Sequence, residues 1–294
     1  FQAEDGIRDS VASRQLGDVY KRQLLVGCTP DLPPAPTEVH SAPVGVPSES
    51  VTPTSVVDAT PSENPDTQLS ADLQRIADEA ANMYGGAATV AVSDGKQTFA
   101  SAEAGPYVAW STSKVPIAIA ALRVDPGLAP IAEAAITVSD NVAAESLWAA
   151  VTPAQVEAVL AEAGTPIAMN TVITRPGFTA FGQTQFSTAD QATFAAGLPC
   201  VDGASDVLAM MGRISPDQAY GLGTMPGAQF KGGWGPDTAG RYVIRQLGLV
   251  DGRGVALTVA PADGQYATGQ QMATQIAGQL GPVLQQMPKA ACTN

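Results

Sequence analysis

The chain has 294 residues, 45% of them hydrophobic, with a formal net charge of −13 and only 15 Lys and Arg. That is enough apolar material for one large domain or two small ones, and an acidic chain without a basic patch argues against nucleic acid as a partner. The single histidine, His40, lies in a proline-rich stretch, and no Cys-x-x-Cys or His-x-x-x-His spacing occurs, so a Ser-His-Asp, Cys-His or zinc site cannot be built in a folded part that lacks the ligands.

In chain order, residues 1–23 contain Gln2-Ala3-Glu4-Asp5-Gly6-Ile7-Arg8-Asp9 and Leu16-Gly17-Asp18-Val19-Tyr20-Lys21-Arg22-Gln23. They read as a non-native, adapter-like leader and are set aside from fold reasoning. Leu24-Leu25-Val26-Gly27-Cys28 is similar to the tail of a bacterial lipoprotein signal peptide, which would make Cys28 the lipidated residue and the membrane a partner through it. Residues 29–67 are rich in Pro, Ser, Thr and Val. Such a segment buries too little apolar surface to offset the entropy of ordering, and reads as a disordered tether. A bare disordered N-terminus would have the same composition. No apolar run is long enough to span a membrane as a helix.

Residues 68–294 read as the folded domain. Leu73, Ile76, Ala77 and Ala80 recur at helical spacing, with Ser70 as the expected N-cap and Gly85-Gly86 as the stop. Residues 88–93 and 97–101 predict a hairpin around Asp94-Gly95. Trp110-Ser111-Thr112-Ser113-Lys114 opens an apolar helix that Asp125-Pro126-Gly127 stops. Residues 156–163 and 208–214 predict two more helices. The last third predicts strands over 228–232, 242–249 and 254–259, with turns at Gly235-Pro236-Asp237 and Asp251-Gly252, then a helix over 268–287 broken near Gly281-Pro282.

Ser111 and Lys114 are three apart, which puts a hydroxyl and an amine on one helix face. A serine needs an adjacent base to act as a nucleophile, and a lysine serves if burial or a second cation lowers its pKa. By itself the pair also reads as a helix cap followed by a Lys reaching for solvent. Ser139-Asp140-Asn141 could equally be a turn, and Lys231-Gly232-Gly233 a strand with an edge charge.

S-x-x-K, S-D-N and K-x-G in this order, however, are the three motifs of class A β-lactamases and penicillin-binding proteins. From about residue 68 to the end the chain resembles that serine acyltransferase superfamily, closest in type to small β-lactamase-like lipoproteins of Actinobacteria. The resemblance implies an α+β fold: an antiparallel sheet flanked by terminal helices, plus a shortened helical subdomain, with the site between them. It implies Ser111 as nucleophile, Lys114 as its base, Ser139 as proton relay, and Asn141 positioning substrate and Lys114. Lys231 would repel a proton from Lys114 and attract a substrate carboxylate. The backbone N–H groups of Ser111 and Trp234 would form the oxyanion hole, and Gly232 and Gly233 would line the substrate strand.

Three departures qualify the resemblance. Gly232 stands where a Thr or Ser hydroxyl is usual. Lys114 and Ser139 are only 25 positions apart, which implies a trimmed helical subdomain and an open cleft. The deacylating Glu has no counterpart, since the last Glu is Glu162. Gln183 and Gln185, in the stretch expected to border the site, could orient a water but not take its proton. The expectation is a monomeric, exported, lipid-anchored envelope hydrolase acting on a peptide, amide or ester, needing no metal or cofactor and poor at β-lactam turnover. The alternative is a retired site whose fold serves as a binding or scaffold module. With Cys28 lipidated, Cys200 and Cys292 remain as a pair expected to bridge in an exported protein, against the alternative of two free buried thiols.

Overall fold

The computed structural model describes residues 65–105 and 107–292. The expected leader, the expected lipid-attachment sequence with Cys28, and residues 29–64 of the expected tether lie outside the described residues, whereas residues 65–67, read from composition as the end of that tether, belong to the first helix of the domain.

The first helix, α1 (Pro65–Tyr84), begins before Ser70, so Ser70 lies inside the helix and caps nothing. Proline's fixed φ suits a first helical position, and Asp66 in the first turn complements the helix dipole. The expected apolar stripe, Leu73, Ile76, Ala77 and Ala80, is buried. The hairpin follows as β1 (Gly86–Ser93) and β2 (Thr98–Ala100), paired antiparallel.

A 3-10 turn (Trp110–Ser113) then leads into α2 (Lys114–Val124). After it come α3 (Ala129–Thr137), α4 (Asn141–Ala149), α5 (Pro153–Glu162), α6 (Thr188–Gly197) and α7 (Ala204–Met211). Three strands, β3 (Gln229–Pro236), β4 (Tyr242–Val250) and β5 (Arg253–Pro261), precede the last helix, α8 (Tyr266–Leu284).

The five strands form one antiparallel sheet in the order β2-β1-β5-β4-β3, which leaves β3 at an edge. Alternate residues of β5 face opposite sides. Val255, Leu257 and Val259 join α1 and α8 in one apolar cluster, whereas Ala256 joins the cluster of α2 to α7 on the other face. Covered on both faces, β5 is buried nearly end to end, which explains its continuous apolar run.

Three further sequence expectations shift, the first being the helix expected over 208–214, which forms earlier as α7 (Ala204–Met211) and ends at the Gly212 C-cap. β3 runs through Gly235 and Pro236, and the turn falls at Asp237, whose carboxylate accepts from the Ala239 and Arg241 amides at 2.8 and 2.9 Å. Pro is admissible there because an edge strand has one row of unpaired N–H groups. The last helix passes through Pro282 without a break. Pro282 and Gly278, the residue whose carbonyl loses its donor, are both exposed, so water can satisfy that carbonyl. Cys200 and Cys292 form a disulfide with Cα atoms 5.3 Å apart, joining the C-terminal tail to the segment after α6.

Candidate active site

The site is built where the turn before α2, the α3–α4 loop and the edge strand β3 converge. Residues 110–113 form a 3-10 turn, which has three residues per turn and so aligns Ser111 with Lys114. Side chains hold the turn. Thr112 Oγ1 donates to Ala109 O at 2.6 Å and Ser113 Oγ to Trp110 O at 2.7 Å. Gln191 Nε2 of α6 donates to Thr112 Oγ1 at 2.9 Å. The approach is held from below by Arg245, fully buried in β4, which donates to the carbonyls of Tyr107 and Val108 at 3.0 and 3.3 Å and to Thr258 Oγ1 at 3.0 Å. Burial lowers the Arg245 guanidinium to about 10. None of Thr112, Gln191 and Arg245 carries a motif, and each acts through a contact that the primary sequence does not display.

Two non-glycine residues at the site have left-handed backbones, Trp110 at φ +50° and Ser139 at φ +59°. For a bulky Trp that conformation is costly and persists only where the surroundings impose it. The Trp110 ring packs on Phe178 at 5.3 Å and under the Arg175 guanidinium at 5.5 Å.

The structure brings four of the expected side chains into one hydrogen-bonded group. Lys114 Nζ donates to Ser139 O at 2.6 Å, Asn141 Oδ1 at 2.8 Å, Asp140 O at 3.2 Å and Ser139 Oγ at 3.3 Å. Lys231 Nζ donates to Ser139 Oγ and to Gly232 O, both at 2.8 Å. One hydroxyl therefore joins two amines. Ser111 is half-buried, and its side chain forms no hydrogen bond among the described residues. The Lys114 amine is turned toward the Ser139–Asn141 loop instead of toward Ser111, because an ammonium with three donors finds its best acceptors there.

Lys114 is 1% exposed and Lys231 wholly buried. Desolvation lowers the Lys114 amine to about 8, while the charges of Asp140 and Glu145 act to raise it. Burial, reinforced by the Lys114 charge, pushes Lys231 well below the ordinary lysine range. Lys231 therefore lies beneath the cleft surface and, as placed, cannot meet a substrate carboxylate directly.

Backbone geometry explains the glycines of the third motif. A Cβ on Gly233 would lie 2.9 Å from Ala109 O and Ser111 N and 3.0 Å from Thr112 N. Only glycine lets β3 come this close, and the approach sets the Ser111 amide beside the strand segment that carries the Trp234 amide. Gly232 is different. A Cβ there would first meet the Trp234 ring at 3.6 Å and Tyr220 Oη at 4.0 Å, an ordinary contact. Sterics thus do not explain why a hydroxyl residue is missing. The Trp234 ring packs on Tyr266 at 5.5 Å.

The segment from 165 to 187 forms the opposite border. Its 3-10 turn Phe181–Gln183 packs on the Trp110–Ser113 turn, and Ala109 N donates to Thr184 O at 2.8 Å. Gln183 does not serve as a water-orienting group. Its Oε1 accepts from Thr174 Oγ1, Arg175 N and Thr174 N at 2.6, 2.9 and 3.1 Å, and its Nε2 contacts three carbonyls of the same loop. Gln185 is exposed. A cavity of about 310 Å³ lies near the β3–β4 turn, between Tyr107, Asp237, Arg241 and Tyr242, and none of the motif residues lines it.

No protein-family model matches this sequence, and no curated protein is similar to it in sequence. Solved structures are similar in fold. A β-lactamase from Sphaerobacter thermophilus superposes with a TM-score of 0.57 at 18% identity, over 75% of this chain and 99% of its own. A β-lactamase from Streptosporangium roseum gives 0.59 at 15% identity, over 74% and 100%. A class A β-lactamase from Mycobacterium abscessus gives 0.57 at 14%, over 73% and 99%. The chain thus has the α+β fold of the β-lactamases, and the antiparallel sheet that the resemblance implied has five strands.

Proposed function

We propose that the protein is a serine hydrolase or acyltransferase that is acylated on Ser111 by amide or ester substrates. The observation that carries this reading is the Ser139 hydroxyl shared by the Lys114 and Lys231 amines next to the Ser111 turn. A buried pair of amines around one hydroxyl is a poor way to stabilise a fold, since each charge is desolvated without a carboxylate partner. It is a good way to keep an amine neutral and to pass a proton.

In this reading Lys114, in its neutral form, takes the Ser111 proton as Oγ attacks the carbonyl carbon. Ser139 hands a proton to the leaving nitrogen or oxygen and is replenished from the lysines. Asn141 keeps Lys114 in place, and the Ser111 and Trp234 amides bind the oxyanion, with Gly232 and Gly233 as substrate-binding backbone. The segment between Glu162 and Asp190 holds no carboxylate, so water on that side of an acyl-enzyme has no base, and β-lactam adducts should persist. An exported position, with Cys28 lipidated and the substrate in the cell envelope, completes the proposal.

Intact-mass spectrometry after exposure to a fluorophosphonate and, separately, to benzylpenicillin tests it. One adduct per chain, absent in Ser111→Ala, is the expected outcome. Labelling equal in the variant, or no adduct with any acyl donor, overturns the reading and leaves a β-lactamase-like fold that binds without chemistry.

A further inference from the structure

We propose that Glu145 of α4 is the general base that hydrolyses the Ser111 acyl-enzyme, approaching from the side that the leaving group vacates. The inference rests on the Ser111 reading above. It starts from helix geometry. Positions 141, 144, 145 and 148 share one face of α4. Asn141 Oδ1 touches the Lys114 amine at 2.8 Å, Ala144 is fully buried, and the Trp148 ring stands 5.6 Å from that of Phe181. Phe181 opens the 3-10 turn that packs on the Ser111 turn. The face therefore looks at Lys114 at one end and at the cover of Ser111 at the other, and Glu145 lies between those two contacts. Helical side chains lean toward the N-terminus, which carries its carboxylate toward Asn141.

Glu145 is exposed and has no hydrogen bond or ion pair among the described residues. Its charge is nonetheless felt at Lys114. Asp217 is likewise without a hydrogen bond or ion pair among the described residues, but its charge is felt at Tyr266, the ring that packs on Trp234, and not at Lys114, while three other acids near the site are engaged. Asp140 caps α4 by accepting from Ala143 N at 2.7 Å, Glu162 pairs with Arg123, and Asp190 accepts from Ser187 Oγ at 2.7 Å. An unpaired carboxylate one helical turn from the residue that holds the base is thus free to bind a water.

Glu145 takes a proton from water as the water oxygen bonds the acyl carbon. The tetrahedral adduct then expels Ser111 Oγ, which recovers a proton delivered from Glu145 through Lys114. Acyl ester and water become carboxylic acid and free hydroxyl, with no net change on the protein. The side matters for substrate class. A linear ester or amide loses its leaving group, and water takes that place beside Ser139. A β-lactam keeps its ring nitrogen attached, which blocks the same approach. The site should turn over linear substrates and be trapped by β-lactams.

Acetyl-enzyme formed from p-nitrophenyl acetate, followed by the nitrophenolate burst and by intact mass, tests the proposal. In Glu145→Gln the burst should still occur, no slower than in wild type because loss of the Glu145 charge favours neutral Lys114, while the acetyl adduct lives about 10²-fold longer or more, the usual loss without a general base. Glu145→Asp should recover part of the rate, and formate should speed deacetylation of Glu145→Ala, which a purely structural role would not allow. The benzylpenicillin adduct should last equally long in wild type and Glu145→Gln. Equal acetyl lifetimes in the two overturn the role of Glu145 while leaving Ser111 as nucleophile. No adduct on Ser111 with either reagent overturns the nucleophile and this proposal with it.

Discussion

The two borders of the cleft use hydrogen bonds in opposite ways. On one side, Lys114 and Lys231 reach Ser139 across 25 and 92 positions of sequence. On the other, every side-chain partner of Gln183 lies within 4 to 9 positions of it, inside its own loop. The first arrangement joins three elements through groups that can exchange protons. The second fixes the shape of one loop with an amide that cannot. The contrast teaches that buried polar groups near a nucleophile are not equivalent. Those that span elements and titrate can move charge, whereas those that close on local backbone only hold position.

The comparison breaks most sharply at Lys114. Lys114→Ala should lower the rate of Ser111 acylation by about 10²–10⁴-fold, the range for a lost general base, with the fold retained as judged by circular dichroism. An unchanged rate would make the amine cluster a packing device. The same border should show itself in pH dependence. The neutral amine is the active form, and burial lowers it to about 8. Acylation should therefore fall about tenfold for each pH unit below 8 and level off above it. A pH-independent rate between 6 and 9 would point to another base.

The loop border should respond in stability. Gln183→Ala leaves the Thr174 and Arg175 amides without their acceptor, at a cost of about 1–3 kcal/mol. In a domain of this size each kcal/mol lowers Tm by about 2–4 °C. Fluorophosphonate labelling of Ser111 should survive the change. Loss of labelling without loss of Tm would mean that the two borders share one function. The smallest effect is expected at Gly232→Thr. The position has room for the side chain, and one added hydroxyl bond to a substrate anion is worth about 1.5–3 kcal/mol at most. Benzylpenicillin acylation should rise by about tenfold with Tm unchanged. A drop in rate would assign the Trp234 ring, and not the missing hydroxyl, as the group that shapes this end of the cleft.

Much of this was legible before the structure. The hairpin, the three C-terminal strands and the turn at Asp251-Gly252 follow from short apolar, β-branched runs bounded by turn residues, which are local signals. The helices α3, α4 and α6 carried no such signal. α3 and α4 are nine residues each and rich in alanine, too short for a clear stripe. α6, Thr188–Gly197, is packed between the sheet and the helical side, where small residues such as Ala192, Ala195 and Ala196 are buried on several sides and no amphipathic pattern develops. Without a stripe to mark α4, the sequence pattern does not single out Glu145, four positions after Asn141.

The primary sequence by itself determined the chemical inventory: a hydroxyl and amine pair at the head of an apolar helix, a second amine on a strand, no histidine after His40 to compete with them, and no acid between Glu162 and Asp190. It also determined which glycines stand at Gly232 and Gly233. Only the tertiary structure decided how that inventory is spent. It set Lys231 below the surface, closed Gln183 on its own loop, brought β3 against Ala109 and Ser111 so closely that Gly233 admits no Cβ, and left Glu145 unpaired on the face shared with Asn141. The reason is physical. Residue type fixes whether a group can donate, accept or titrate, but its charge state and its partner depend on desolvation and on neighbours tens of positions away, and those are set only when the elements pack.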